Sequence, residues 1–354
     1  MTFPSDLPVR LRLMRRSLLG GWCAAVLLTV CGCAAPSATT TTVSGAYAGQ
    51  RYRPTGGLSL ITEPGPGDAP FIALIDSARQ SIDVTMYELT DQRVERALAA
   101  TAARGVRVAV LLDDGQYGAG RPLNDAAYRY LAVHGVRVAW APRYFALTHE
   151  KSIVIDGRVA AIMTLNLTPA YYASSRDFAV LDRRPADVNA IVRVFDADLR
   201  GQQITPGAGS GDLVWSPGAQ APIGALIAHA RQSLQVESEE MDDPAMTHEL
   251  CQAAERGVHV QVLMTYEPSW QAALTYLADC RAQVRTYPES AALYIHAKLI
   301  RVDEHTVFIG SQNLSRQSLT YNRELGIITQ SPPIVASTGA TFSADFAAAQ
   351  PYAP

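Results

Sequence analysis

Two of the seven histidines sit among the same neighbours. His149-Glu150-Lys151 runs on to Asp156 and His296-Ala297-Lys298 runs on to Asp303, so both read His-x-Lys-x4-Asp. At this composition a given histidine meets that pattern by chance on the order of once in a few thousand. Of 30 lysines and arginines, only Lys151 and Lys298 are lysine. An arginine bias accounts for the other cations, because most surface positions accept either residue. The two lysines mark places where a compact ammonium does what a planar guanidinium does not. On a strand, residues two apart share a face, which puts each imidazole and its ammonium on one side of a sheet. Seven residues after each aspartate comes Met163-Thr164-Leu165-Asn166 or Gly310-Ser311-Gln312-Asn313, and eleven after each asparagine comes an acid, Asp177 or Glu324. Imidazoles that move protons near neutrality, ammonium points and carboxylates that hold a ring's tautomer are the parts of a site acting on anionic oxygens.

The elements around these motifs are written twice. Residues 70–81 read PFIALIDSARQS and residues 222–233 read PIGALIAHARQS, an offset of 152 that Arg104-Gly105-Val106 and Arg256-Gly257-Val258 share. Each copy predicts a short apolar strand (residues 82–87 and 234–239) and a helix ending at Arg-Gly, where glycine suits a left-handed C-cap. A buried strand follows (residues 106–112 and 258–264). This is βαβ logic, with a parallel sheet between helices. Further on the offset is 147, pairing His149 with His296, Phe195 with Phe342 and Asp198 with Asp345, so the copies differ by about five residues in the loop after the second strand. The stretch 205–211 reads as the domain junction.

Together these motifs resemble the phospholipase D superfamily, whose members carry His-x-Lys-x4-Asp followed by Gly-Ser-x-Asn and a downstream acid. The resemblance covers the chain from Leu58 to Gln350. It implies an α/β fold of two pseudo-symmetric phospholipase D-like α-β-α domains, residues 58–204 and 212–350, each with a mixed, largely parallel sheet flanked by helices. Both motifs would line one site between them and act on phosphodiesters without a metal or other cofactor. Phosphoryl transfer depends mostly on positioning and on stabilising oxygen charge, which two ammonium points supply where no Mg²⁺ is bound.

By this analogy His149 is the nucleophile, forming a phosphohistidine, and His296 is the acid that protonates the leaving alkoxide and then activates water; the reverse assignment is open. Lys151, Lys298, Asn166 and Asn313 would hold the nonbridging oxygens with Thr164 and Ser311 in support. Asp177 and Glu324 would orient each imidazole through its other nitrogen. Asp156 and Asp303 read as structural, shaping the turn after the strand. The first copy departs from Gly-Ser at Met163-Thr164, and methionine adds bulk where glycine lets the backbone approach a ligand closely. A narrowed pocket, a different substrate or a weakened half-site is the expected consequence. The acidic run Glu237, Glu239, Glu240, Asp242 and Asp243 reads as a solvated strand end rather than a calcium site.

Arg10, Arg12, Arg15 and Arg16 precede an uncharged apolar run over residues 17–30, too short to span a bilayer, and the run ends at Cys31-Gly32-Cys33. Residues 1–32 therefore read as a lipoprotein signal peptide with Cys33 the lipidation site, and residues 33–57 as a flexible tether. Ordinary cleavage near Ala34 or Ala35 and secretion is the alternative, and Met14 is a second candidate start. Export places the chain in an oxidising compartment, where Cys251 and Cys280 are expected to form a disulfide. From Cys33 onward the chain has 26 basic and 32 acidic residues, which counts against tight duplex binding. Phospholipid head groups at a membrane surface are the first substrate expectation. An exported nuclease is the second, an inactive envelope-bound binder the third. A monomer is expected, since both motifs lie in one chain.

Overall fold

A computed structural model describes residues 57–115, 123–207, 209 and 211–353. The signal peptide, Cys33 and all of the tether except Gly57 lie outside the described residues. The first half comprises β1 (Leu58–Glu63), α1 (Ala69–Asp76), β2 (Ser81–Met86), α2 (Gln92–Ala103), β3 (Arg107–Leu112), α3 (Asp125–Val133) and β4 (Arg137–Trp140). It continues through β5 (Lys151–Ile155), β6 (Val159–Met163), α4 (Pro169–Tyr172), β7 (Ser175–Asp182) and α5 (Pro185–Leu199). The second half comprises β8 (Leu213–Ser216), α6 (Gln220–Ala228), β9 (Ser233–Glu237), α7 (Pro244–Glu255), β10 (His259–Thr265), α8 (Gln271–Asp279) and β11 (Gln283–Tyr287). Then come β12 (Tyr294–Ile295), β13 (Leu299–Val302), β14 (Thr306–Gly310), α9 (Arg316–Thr320), β15 (Glu324–Thr329), α10 (Pro332–Ala348) and β16 (Gln350–Pro351).

The two sheets have the same strand order: β4-β3-β2-β5-β6-β7-β1 in the first and β11-β10-β9-β13-β14-β15-β8 in the second, where β16 adds an edge to β11. Pairing is parallel through β2, β3 and β4, and through β9, β10 and β11, where a helix returns the chain between strands. It turns antiparallel at β5 and β13, because the motif strands continue into β6 and β14 through tight turns. Helix ends follow the sequence signals: Asp91 accepts from Arg93 N at the start of α2 and Asp243 from Ala245 N at the start of α7, while Gly105 and Gly257 take φ of +86° and +90° after them.

Strand alternation divides the core. In β5, Ile153 and Ile155 join Phe71, Ile75, Val94 and Leu98 beneath α1 and α2, and in β13, Ile300 and Val302 join Ile223, Ile227 and Leu250. The opposite faces meet each other, with Val154, Ile162 and Phe178 of the first sheet in one buried cluster with Leu299, Val307 and Ile309 of the second, plus Ile191 of α5 and Ile334 of α10. Each motif lysine has the parity of the helix-covered residues but sits at the strand's open end, Lys151 opposite Met86. The halves also trade backbone. β12 pairs in parallel with the start of β7, and Thr148 bridges to Arg323 next to β15. Among the described residues no helix is long and apolar enough to cross a membrane.

Met163 does not narrow a pocket. Its side chain is fully buried in the helix-side core of the first half. The matching Gly310 faces Gly326 across the β14–β15 ladder, and a Cβ on it would lie 2.5 Å from Gly326 Cα and 2.9 Å from Phe308 Cζ. The first copy has Ala161 and Ala179 where the second has Phe308 and Gly326, so volume has been exchanged between neighbouring positions and the glycine serves packing rather than close approach of a ligand.

Candidate active site

Each imidazole is held by the acid of the other half. His149 Nδ1 lies 2.9 Å from Glu324 Oε2, and His296 Nδ1 lies 2.8 Å from Asp177 Oδ1. The traded backbone sets this exchange: the amides of His149 and Glu150 both donate to Arg323 O at 2.9 Å, and Tyr294 N donates to Ser174 O at 2.7 Å. The segment before each acid thus docks on the segment carrying the opposite histidine. A carboxylate on Nδ1 leaves Nε2 as the reacting nitrogen. Glu324 is itself held, its Oε1 accepting from Ser318 Oγ at 2.6 Å and Asn322 Nδ2 at 3.0 Å.

Both ammonium groups are buried and turn back on their own motif. Lys151 Nζ donates to His149 O at 2.6 Å, and Lys298 Nζ donates to His296 O at 2.5 Å and to Glu239 Oε2 at 2.7 Å. Burial, and then the second ammonium of Lys298, push Lys151 down to about 7. Burial, followed by Lys151, lowers His149 to about 4 against the pull of Glu324. A His149 that is neutral at physiological pH, with Nδ1–H given to Glu324, presents an Nε2 lone pair. Burial raises the Glu324 carboxyl, but His149, Lys151 and Ser318 together outweigh it and hold the group below its ordinary range.

The remaining expected residues fall into two groups. Asn166 and Asn313 are both 3% exposed, and Asn313 Nδ2 lies 3.4 Å from Glu239 Oε2, among the cations. The hydroxyls expected on the phosphate are used elsewhere, which corrects that assignment. Thr164 Oγ1 donates to Asp177 Oδ1 at 2.5 Å, while Ser311 Oγ accepts from Leu325 N at 3.2 Å, and both residues are fully buried. They brace the acid-bearing strands β7 and β15. Asp156 and Asp303 lie outside the site at φ of 53° and 50°. The Asp156 carboxylate accepts from the amides of Arg79, Gln80 and Ser81, and Asp303 from those of Arg231, Gln232 and Ser233. The repeated Ala-Arg-Gln-Ser is the loop each aspartate ties down. Cys251 and Cys280 are joined in a disulfide between α7 and the end of α8, with Cα atoms 5.3 Å apart.

Several site residues escaped the sequence reading. Tyr87 packs edge-on against His149 at 4.6 Å, and Tyr171 stacks on His296 at 5.6 Å with 9° between planes. The acidic run is not a solvated strand end: Glu237 is fully buried, with burial pushing it up to about 8, Asp243 caps α7, and Glu239 reaches the motif cations. Matching Glu239 to Tyr87 at the offset of 152 would have singled both out. Two clamps tie the halves together, the buried Arg323 to Asp198 at 2.8 and 3.1 Å and the half-buried Arg176 to Asp345 at 2.5 and 3.0 Å. Arg176 and Arg323 share the offset of 147, which was legible beside the two aspartates. Cavities of about 440 and 550 Å³ are lined by none of the motif residues, so the site is recognised by its convergent charged groups.

A duplicated α/β fold with two His-x-Lys motifs brought together by exchanged acids defines a member of the phospholipase D superfamily. A family model described as "Cardiolipin synthase, PLD-like domain" matches residues 71–199 and 223–346, and the chain belongs to that family. It is similar to cardiolipin synthase B of Escherichia coli (strain K12) and of Shigella flexneri, 27% identical over 282 residues, which is 67% of this chain and 66% of each relative. The chain thus spans about two thirds of the length of these relatives. Among solved structures, phosphatidylserine synthase of Haemophilus influenzae Rd KW20 superposes with a TM-score of 0.63 at 13% identity, over 82% of this chain and 86% of that one. Polyphosphate kinase of Porphyromonas gingivalis gives 0.62 at 15% identity, over 81% of this chain and 46% of that one. At those identities the likeness is one of fold.

Proposed function

We propose that this chain is a phospholipase D-type enzyme that cleaves the phosphodiester of a phospholipid and passes the phosphatidyl group, through a phosphohistidine, to water or to an alcohol. The observation that carries the proposal is the exchanged pair of carboxylate–imidazole contacts with two buried ammonium groups beside them. Nε2 of His149 attacks phosphorus as the bond to the leaving oxygen breaks, and Nε2–H of His296 protonates that oxygen. An incoming hydroxyl then gives its proton to His296 and displaces His149 from phosphorus. Lys151, Lys298, Asn166 and Asn313 hold the nonbridging oxygens, where charge builds in the transition state. This assignment of the histidines is supported by their surroundings: a ring packs beside His149, whereas His296 Nε2 lies 3.5 Å from the Glu239 carboxylate.

The names of the similar synthases favour an alcohol as acceptor, and a lipid anchor at Cys33 with a short tether would keep the site beside its substrate. The anchor rests on the sequence alone. Purified protein in EDTA, incubated with phosphatidylglycerol and phosphatidylethanolamine vesicles and separately with plasmid DNA, tests the substrate class. Head-group release or a new diphosphatidyl product is expected; nicked plasmid with intact lipid would overturn the phospholipid reading. Labelled phosphoprotein should be trapped in His296→Ala and absent in His149→Ala, and the opposite result inverts the roles.

A further inference from the structure

The phosphate-holding groups of the second half already touch a carboxylate of the chain itself. Glu239 follows β9, and its Oε2 lies 2.7 Å from Lys298 Nζ, 3.4 Å from Asn313 Nδ2 and 3.5 Å from His296 Nε2. A nonbridging phosphate oxygen would be held by these same three groups. The other oxygen, Oε1, accepts from Tyr294 OH at 3.1 Å and so has a separate anchor. The side chain of Lys298 is 1% exposed and that of Glu239 22%, which makes the carboxylate the solvent-facing member of the pair.

Among the described residues no carboxylate makes an ion pair with Lys151, although Glu88 acts on it from further away. Tyr87 stands at the matching position, its ring centroid 4.9 Å from Lys151 Nζ. Beyond its bond to His149 O, that ammonium faces a neutral ring that does not compete with an incoming anion. The other acids around Glu239 are shifted in the opposite direction. Burial raises Glu88 and Glu267, and raises Glu240 to about 7. For Glu239 burial acts in the same direction, but His296, Lys298 and His149 together outweigh it and hold the carboxyl far below its ordinary range.

We propose that Glu239 is a charge-selecting residue: it fills the second-half anion position until a phosphate displaces it, and from beside that position it favours a phosphodiester, with one negative charge, over a phosphomonoester, with two. The proposal rests on the phosphodiester reading above and deepens it. A displaced carboxylate stays within a side chain's length of the bound phosphate. Repulsion scales with the charge of the ligand, so a dianion meets about twice the penalty of a monoanion. A diester substrate is admitted, and the monoester that hydrolysis would leave is expelled. The neutral Tyr87 cannot do this in the first half, which gives the two otherwise matched half-sites different electrostatic roles.

Glu239→Gln removes the charge and keeps the shape. Titration calorimetry at about pH 7, where a phosphomonoester is mostly a dianion, compares methyl phosphate with dimethyl phosphate on wild type and on E239Q. Methyl phosphate should bind E239Q about tenfold or more tighter than wild type, with a smaller gain for dimethyl phosphate. Equal gains for the two ligands would show competition without selection and overturn the proposal, as would weaker binding to E239Q, which marks a residue that only holds Lys298 in place. E239Q combined with Lys298→Ala separates the two readings. If anion binding to E239Q depends on Lys298 but is no tighter than in wild type, the Glu239 proposal alone falls. If E239Q binds neither ligand, or binds them regardless of Lys298, the phosphodiester site itself is misassigned. Melting temperatures confirm that each variant is folded.

Discussion

Lys151 and Lys298 are the only lysines of the chain, and each ammonium sits against the carbonyl of its own motif histidine. A guanidinium has a longer reach and a planar fork, so Lys151→Arg or Lys298→Arg keeps the charge while moving it by about an ångström. A loss of about 100-fold or more in kcat at a nearly unchanged melting temperature is expected, measured by head-group release. Near-normal rates in both variants would make the lysine count an accident. The shifted groups also set a pH profile. On the proposed role, His149 is neutral when it attacks, so kcat/KM should fall as pH drops through about 4. On the same proposal a charged Lys151 holds phosphate, so kcat/KM, which reports the free enzyme, should fall again as pH rises through about 7. The linked effect on stability has the opposite sign from that of a salt-bridged lysine. Between about 7 and 10.5 the unfolded chain binds the proton that folded Lys151 has lost, so this group's contribution to stability rises with pH across that window. Chemical denaturation of wild type and Lys151→Met across the window checks the sign, since the variant should lack that rise.

The segments that carry the histidines gain their positions from elements of the opposite half. Arg323 has its guanidinium on Asp198 at the end of α5, both side chains 2% exposed, with Phe145 stacked 4.2 Å away, and its carbonyl receives the amides of His149 and Glu150. Asp198→Ala leaves a buried cation unpaired, and a loss of about 3 kcal/mol in denaturant unfolding is expected together with a fall in kcat larger than the change in KM. Asp198→Leu with Arg323→Met should recover stability and leave activity low; recovery of both would make the clamp a stability feature alone. The loops tied by Asp156 and Asp303 are a local matter by comparison. Each carboxylate satisfies three amides at the start of a strand, so Asp303→Ala should cost about 2 kcal/mol in the same assay, with little direct effect on chemistry.

On the scale of the whole chain, two copies of one unit make a single site because neither half holds a complete one. The acid for His149 is Glu324 and the acid for His296 is Asp177, separated by 175 and 119 residues. The disulfide, by contrast, lies within the second half, joining residues 29 apart. On the chain-entropy account it contributes about 3 to 4 kcal/mol, so reductant should lower the melting temperature by several degrees and leave turnover at room temperature unchanged. A loss of turnover on reduction would tie α7 and α8 to the chemistry.

The sequence by itself determined the superfamily, the duplication and the spacing of the two motifs, and it offered Cys251 and Cys280 as a pair, because each is a matter of residue type at a fixed spacing along the chain. The repeat offsets even contained the clamp residues and the contrast between Tyr87 and Glu239, although single motifs do not reveal them. Only the tertiary structure decided which acid serves which histidine, that Met163 fills core space, that Thr164 and Ser311 brace strands, and that Glu239 of an acidic run lies against Lys298 and His296. Those facts depend on how two sheets exchange backbone and on which way a side chain turns at a strand end. Both are outcomes of packing between residues far apart in the chain, and no local pattern encodes them.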